Sequence, residues 1–171
     1  MDNERIIEYV RKATTEVLGT MVGIDAVPGT PYREREAMES FDGIVALVGI
    51  GGPWTGMGTL YCTTDFALQV TEAMLMAPQS EINEDVLDAL AELSNMIVGN
   101  VKTFLEADLG PLALSIPTVI FGRNYRALHG GSKERTVVPF LCDGQRFEVK
   151  FCLLKRADNH GRMAGLLQAM C

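Results

Sequence analysis

Glu92 and Asn95 have the residue types and the spacing to do chemistry together. They fall in the run Asn83 to Asp108, where Leu87, Leu90, Ser94, Ile97, Val101 and Phe104 recur at steps of three and four. That recurrence predicts the core stripe of an amphipathic helix. Advancing each residue by about 100° draws a second stripe on the opposite side, through Asp88, Glu92, Asn95, Gly99, Lys102 and Glu106, all within roughly 40° of one line. Residues three apart on a helix emerge as neighbours, so a carboxylate and a carboxamide would stand side by side on a rigid support. A solvated polar face would look similar. Two residues favour a site. Gly99 stands in mid-helix, where alanine is more favourable by about 1 kcal/mol, and Asn95 is a mediocre helix former among good ones.

The chemistry open to this pair is limited. No histidine lies near it in sequence, and no Ser or Cys stands on its line, so a self-contained covalent mechanism is not expected. Clustered carboxylates of the kind that hold a metal are missing as well. A side-chain amide can still orient a water for in-line attack, as a glutamine does in GTP hydrolysis. The phosphoryl group and its cation would then come from elsewhere.

The spacing Asp88, three residues, Glu92, two residues, Asn95, then 21 residues to Pro117 resembles the signature of the CheC/CheX/FliY phosphatases. The long gap differs from the family's by a residue, which a loop can absorb. The words Glu-Leu-Ser-Asn-Met-Ile-Val-Gly-Asn and Leu-Ser-Ile-Pro-Thr-Val-Ile-Phe-Gly resemble the family's too. The single motif copy and the length are most similar to its CheX members. The resemblance implies one CheX-like domain over residues 1–171, acting on a phosphorylated CheY-like response regulator in chemotaxis or two-component signalling. Asn95 would position the attacking water. Glu92 would pair with a lysine of the regulator. Asp88 and Gly99 would lie at the partner contact, Asp88 docking or only solvating the helix and Gly99 giving clearance. The chain would need no cofactor of its own, because the regulator brings Mg²⁺ with its phospho-aspartate. The resemblance further implies a homodimer that joins sheets across subunits. An unpaired apolar edge near Pro117 or the C-terminal hairpin is a physical motive for it. A catalytically silent interaction module of a chemotaxis or flagellar assembly is the alternative, and a small-ligand sensor a weaker one.

The rest of the chain must position that helix. The length of 171 residues fits one domain, with 47% apolar and 22% charged residues. A net charge of −7 argues against a nucleic acid or an anionic membrane surface as partner. No apolar run is long enough to span a bilayer and no signal pattern opens the sequence, so a cytoplasmic, reduced setting is expected. Cys62, Cys142, Cys152 and Cys171 share no metal-ligand spacing with each other or with His129 and His160, so buried thiols are expected in place of a zinc site.

Helices are expected at about Glu4 to Val22 and Asp65 to Met76, the latter capped by Thr64, and at Gly161 to Met170. Strands are expected at Ser40 to Gly51, Thr59 to Cys62, Leu112 to Phe121, Thr136 to Cys142 and Gln145 to Leu154. Pro117 demotes its strand to an edge or a bulge. Asp143-Gly144 is a two-residue hairpin signal. The glycine-rich run 51–58 lacks a following helix and reads as a hairpin connection, with Trp54 packing at its tip. The basic stretch 122–134 reads as a solvated loop. Glu16-Val-Leu-Gly19-Thr-Met-Val-Gly23 aligns with Glu92-Leu-Ser-Asn95-Met-Ile-Val-Gly99 at an offset of 76 residues, a weak αββ-type internal repeat. The fold class expected is α+β, CheC-like: a mostly antiparallel sheet with helices packed on it.

Overall fold

The computed structural model describes residues 2–35, 38–128 and 134–156, with the backbone course alone at 38–41 and 124–128. The helices are α1 (Asn3–Val17), extended by a π-helical turn (Leu18–Val22), α2 (Thr64–Leu75) and α3 (Glu84–Leu109). The strands are β1 (Val27–Pro28), β2 (Tyr32–Glu34), β3 (Met38–Gly51), β4 (Trp54–Cys62), β5 (Ala113–Leu114), β6 (Thr118–Leu128), β7 (Arg135–Cys142) and β8 (Gln145–Lys155). All strand pairings among the described residues are antiparallel. The class is α+β, as the sequence indicated.

The internal repeat is plainer in the topology than in the residues. Strands β4 and β8 pair at the centre, β3 flanks β4, and β7 flanks β8. The strands leading into each hairpin cross to the opposite half: β1 and β2 pair with β7, while β5 and β6 pair with β3. Each half is therefore a helix followed by four strands, related to the other by a pseudo-two-fold through the β4–β8 pair. The αββ reading lacked β1, β2 and β5, because strands of two or three residues leave no periodic signal, and it left the 11-residue β6 out of the repeat.

One face of the sheet is apolar. Ile44, Ala46, Val48, Ile50, Leu60, Phe147, Val149 and Phe151 alternate along their strands and meet α3 through Leu90, Leu93, Ile97, Val98, Val101 and Leu105. Gly58 on β4 lets the helix sit this close. A Cβ built there would lie 2.5 Å from Val98 Cγ2 and 3.1 Å from Phe151 Cζ. The buried arc of α3 is wider than the single stripe drawn from sequence, since the helix is flanked by the sheet and by α1. Leu87 and Phe104 stand at its margins, half-buried. Phe104 packs on Tyr9 with ring centroids 5.5 Å apart and lies under the Lys12 ammonium at 4.6 Å.

Several boundaries move. Thr63, not Thr64, caps α2, its hydroxyl accepting from the Phe66 N–H. The run 51–58 is mostly strand, turning at Gly52-Pro53, where Gly52 has a φ of +135°. Trp54 packs against the core, as expected. The expected loop 122–134 is strand β6 as far as Leu128, at an edge of the sheet. Asp143 and Gly144 have φ of 45° and 82°, a type I′ turn. Cys62 and Cys142 are buried free thiols and Cys152 is partly buried, while burial pushes the Cys62 thiol up in pKa. Cys171, His129, His160 and the expected helix from Gly161 to Met170 lie outside the described residues.

Candidate functional site

The site is the outer line of α3. Asn83 starts the helix, its side chain accepting from the Val86 N–H at 3.0 Å, and Glu84 and Asp85 follow at the positive end of the helix dipole. Asp88 and Glu92 are exposed, while Asn95 and Gly99 are half-buried. By helix periodicity alone, a line opposite the core stripe is expected to face solvent at all four positions. At Gly99 the difference arises from the segment after α3, which passes beside the helix there. The Leu112 N–H donates to Glu106 Oε1 at 2.8 Å, and Leu114 Cδ1 comes within 4.0 Å of where a Gly99 Cβ would be.

Glu92 and Asn95 make no side-chain hydrogen bond or ion pair among the described residues. Lys102 is engaged by Glu106 at 3.0 Å. Asp88 makes no side-chain hydrogen bond or ion pair among them either, so the line presents two unpaired carboxylates and, a turn from Glu92, one unpaired carboxamide, on a helix whose opposite side is locked in the core. Nearby Ser94 is fully buried and donates to the Ala91 carbonyl, so it is not part of the line.

Gly99 has no packing reason to be glycine within the described residues, its nearest non-neighbour being the Leu114 contact at 4.0 Å. Gly99→Ala is expected to stabilise the fold by up to about 1 kcal/mol through helix propensity, raising Tm by about 2–4 °C. A thermal melt checks this, and a lower Tm would mean that the glycine is structural.

The matching region of the first repeat differs. Glu16 and Gly19 occupy the aligned positions, but α1 passes into a π-helical turn and ends at Gly23, whose φ is +72°. Gly99, its counterpart, is followed by a further ten residues of helix. The first copy lacks both the carboxamide and the straight helix that would carry it.

Pro117 falls between β5 and β6. Leu114 is opposite Ile50 and Thr118 opposite Leu47, so this side carries one residue more than β3. That is a bulge on the edge of the sheet, as a proline in a strand requires. Glu106 holds the start of the segment. The Leu112 N–H, then Lys102, lower its carboxyl pKa from the ordinary 4.5. A lowered folded value means the tie is fully present above pH about 4.5 and is lost as pH falls through that lowered value. The Leu112 amide resonance is expected to titrate with a midpoint below 4.5 and to stop titrating in Glu106→Gln. A midpoint at or above 4.5 would contradict the tie.

Among the described residues, no group of three or more His, Cys, Asp or Glu is placed to hold a metal ion. No helix is long and apolar enough to cross a membrane. Two open clefts lie elsewhere, one along α1 lined by Ile7, Arg11 and Pro31, the other beside β1 and β7. Neither is lined by Glu92 or Asn95.

A paired-repeat antiparallel sheet carrying one such helix is the architecture of the CheC-like proteins. A CheX chemotaxis protein from Desulfovibrio desulfuricans superposes with a TM-score of 0.78 and 32% identity, covering 87% of this chain and 99% of that one. The chain belongs to the family described as chemotaxis phosphatase CheX, whose model matches residues 44–141. Asp88, Glu92, Asn95, Gly99 and Pro117 all lie inside that segment. A CheY-P phosphatase CheX from Thermotoga maritima is 27% identical over 123 residues, 71% of this chain and 79% of that protein. A CheX–CheY–BeF3–Mg²⁺ complex from Borrelia burgdorferi matches with a TM-score of 0.74 and 25% identity, over 86% of this chain and 97% of that one.

Proposed function

We propose that this chain is a phosphatase for a phosphorylated CheY-like response regulator, with Asn95 and Glu92 as its working pair. Family membership supports the reaction, and one observation carries the site: among the described residues Glu92 and Asn95, neighbours one turn apart on the outer line of α3, make no side-chain hydrogen bond or ion pair. Asn95 enters the regulator's phosphorylation site and holds a water in line with the acyl phosphate. Its carbonyl oxygen accepts a hydrogen bond from the water and its NH₂ can donate to a phosphoryl oxygen. Glu92 pairs with a lysine of the regulator and sets the register. The gain comes from positioning, since the chain offers no nucleophile.

The acidic run Glu84, Asp85, Asp88 and Glu92 suits a basic partner surface, with Asp88 helping to dock. Gly99 leaves room for it. In this reading Mg²⁺ belongs to the regulator; that a Borrelia complex holds CheX, CheY, BeF3 and Mg²⁺ together supports it. The test is inorganic phosphate release from a regulator phosphorylated with acetyl phosphate, with and without this protein. Acceleration is expected, together with loss of activity in EDTA that excess Mg²⁺ restores. Binding without acceleration would favour the silent interaction module.

The protein is also proposed to be a homodimer. Strand β6 has no partner on its outer side among the described residues, and Ile120 and Phe121 are 37% and 42% exposed there. An unpaired strand edge with apolar side chains invites pairing with a second copy. Light scattering at micromolar concentration is expected to give twice the chain mass of 18.7 kDa, and a monomeric mass would refute the dimer.

A further inference from the structure

The segment between β5 and β6 carries an isoleucine that no part of the fold explains. Ile116 is 87% exposed, yet it is mounted rigidly. The Ser115 N–H donates to the Gly49 carbonyl at 2.9 Å, the Gly49 N–H donates to Ser115 Oγ at 2.9 Å, and Ser115 Oγ donates to the Ile116 carbonyl at 2.8 Å. Pro117 follows and fixes its own φ. An exposed isoleucine is ordinary by itself. One held by three hydrogen bonds and a proline has little backbone freedom left to lose on binding.

Its position follows from two anchors. Leu112 is tied to Glu106, and Leu114 reaches Gly99, so the segment runs along α3 toward the helix N-terminus. Ile116, two residues beyond Leu114, therefore lies past the Gly99 contact in the direction of Asn95.

We propose that Ile116 is an apolar docking residue for the phosphorylated regulator, an anchor next to the polar pair that sets how tightly the regulator is held. This rests on the phosphatase reading of the same face. The occupant is the regulator because the anchor is continuous with the line that carries Glu92 and Asn95. The polar pair then acts on the phosphoryl group and its lysine, and Ile116 supplies burial that is independent of phosphorylation chemistry.

Two variants test this, Ile116→Ser and Ile116→Val. Steady-state dephosphorylation of the CheY-type regulators of the source organism, phosphorylated by acetyl phosphate, gives kcat and KM. Titration with the same regulator carrying BeF3⁻ and Mg²⁺ gives Kd. Ile116→Ser is expected to raise KM and Kd together by about 10-fold, with kcat within about two-fold and Tm unchanged, and Ile116→Val to recover most of the affinity. Unchanged KM and Kd in Ile116→Ser, with an active wild type, would overturn the anchor and leave the phosphatase standing. A wild type that binds the BeF3⁻ form through Ile116 but releases no phosphate would uphold the anchor and overturn the catalytic reading. Conversion of a dimer to a monomer by Ile116→Ser, with KM unchanged, would assign the residue to the contact between copies and overturn the proposal.

Discussion

Replacing Asn95 by alanine is expected to lower the turnover of a phosphorylated regulator by about 10²-fold or more, the scale for losing a hydrogen-bonding group that acts in the transition state. Affinity for the BeF3⁻ form should change little, because the amide meets water and phosphoryl oxygens more than regulator side chains. Stability should also hold, since the Asn95 side chain has no partner within the described residues. Single-turnover decay, a binding titration and a thermal melt read the three quantities separately. Full activity in the variant would remove Asn95 from the mechanism and leave the interaction module as the better account. A parallel fall in activity and Tm would mean that a structural helix position had been mistaken for a site.

Glu92→Ala carries the next largest effect and a different signature. A carboxylate that pairs with a lysine at a contact excluded from water is worth about 2 kcal/mol or more when truncated, roughly 30-fold in affinity. The loss should fall on Kd and KM, with kcat at saturation much less affected. It should be larger at low ionic strength, where the pair is least screened. A salt-independent loss, or one confined to kcat, would show that Glu92 acts on the reaction and not on docking.

How legible the site was depends on the residue. Asp88, Glu92, Asn95 and Gly99 fall on one line by helix geometry alone, and α3 runs where its periodicity puts it. Asn83 as its cap and the buried opposite side through Leu90, Ile97 and Val101 follow from local rules that tertiary contacts did not override. The half-burial of Asn95 was not legible. That of Gly99 depends on Leu114, in a segment that Glu106 ties at the Leu112 N–H, contacts made only once the sheet exists. Ile116 was hidden for a related reason. In sequence it reads as one more apolar residue of a strand from Leu112 to Phe121, and only the extra residue opposite β3 turns it outward. Pro117 was the available signal, since it announced the bulge without saying which neighbour would be displaced.

The strand pairing shows the same division. The Asp143-Gly144 turn and the β3–β4 hairpin are local and were readable. The exchange of β2 and β6 between halves joins Tyr32 to Val137 and Thr118 to Leu47, pairs so distant in sequence that no window contains both. The polar composition of 122–128 pointed to a loop because an edge strand with one solvated side is polar for the same reason a loop is. Gly58 is also informative in retrospect. A glycine inside a strand signals close approach, and here it is α3 itself that approaches.

The most direct test of the central claim is the decay of a radiolabelled, phosphorylated CheY-type regulator under single-turnover conditions, alone, with the wild-type protein, and with the Glu92→Ala/Asn95→Ala double variant. The wild type is expected to speed the decay well above the regulator's own rate, and the double variant, folded to the same Tm, to return it to that rate. Equal acceleration by both proteins would place the chemistry elsewhere on the chain, and no acceleration by the wild type would contradict the account as a whole.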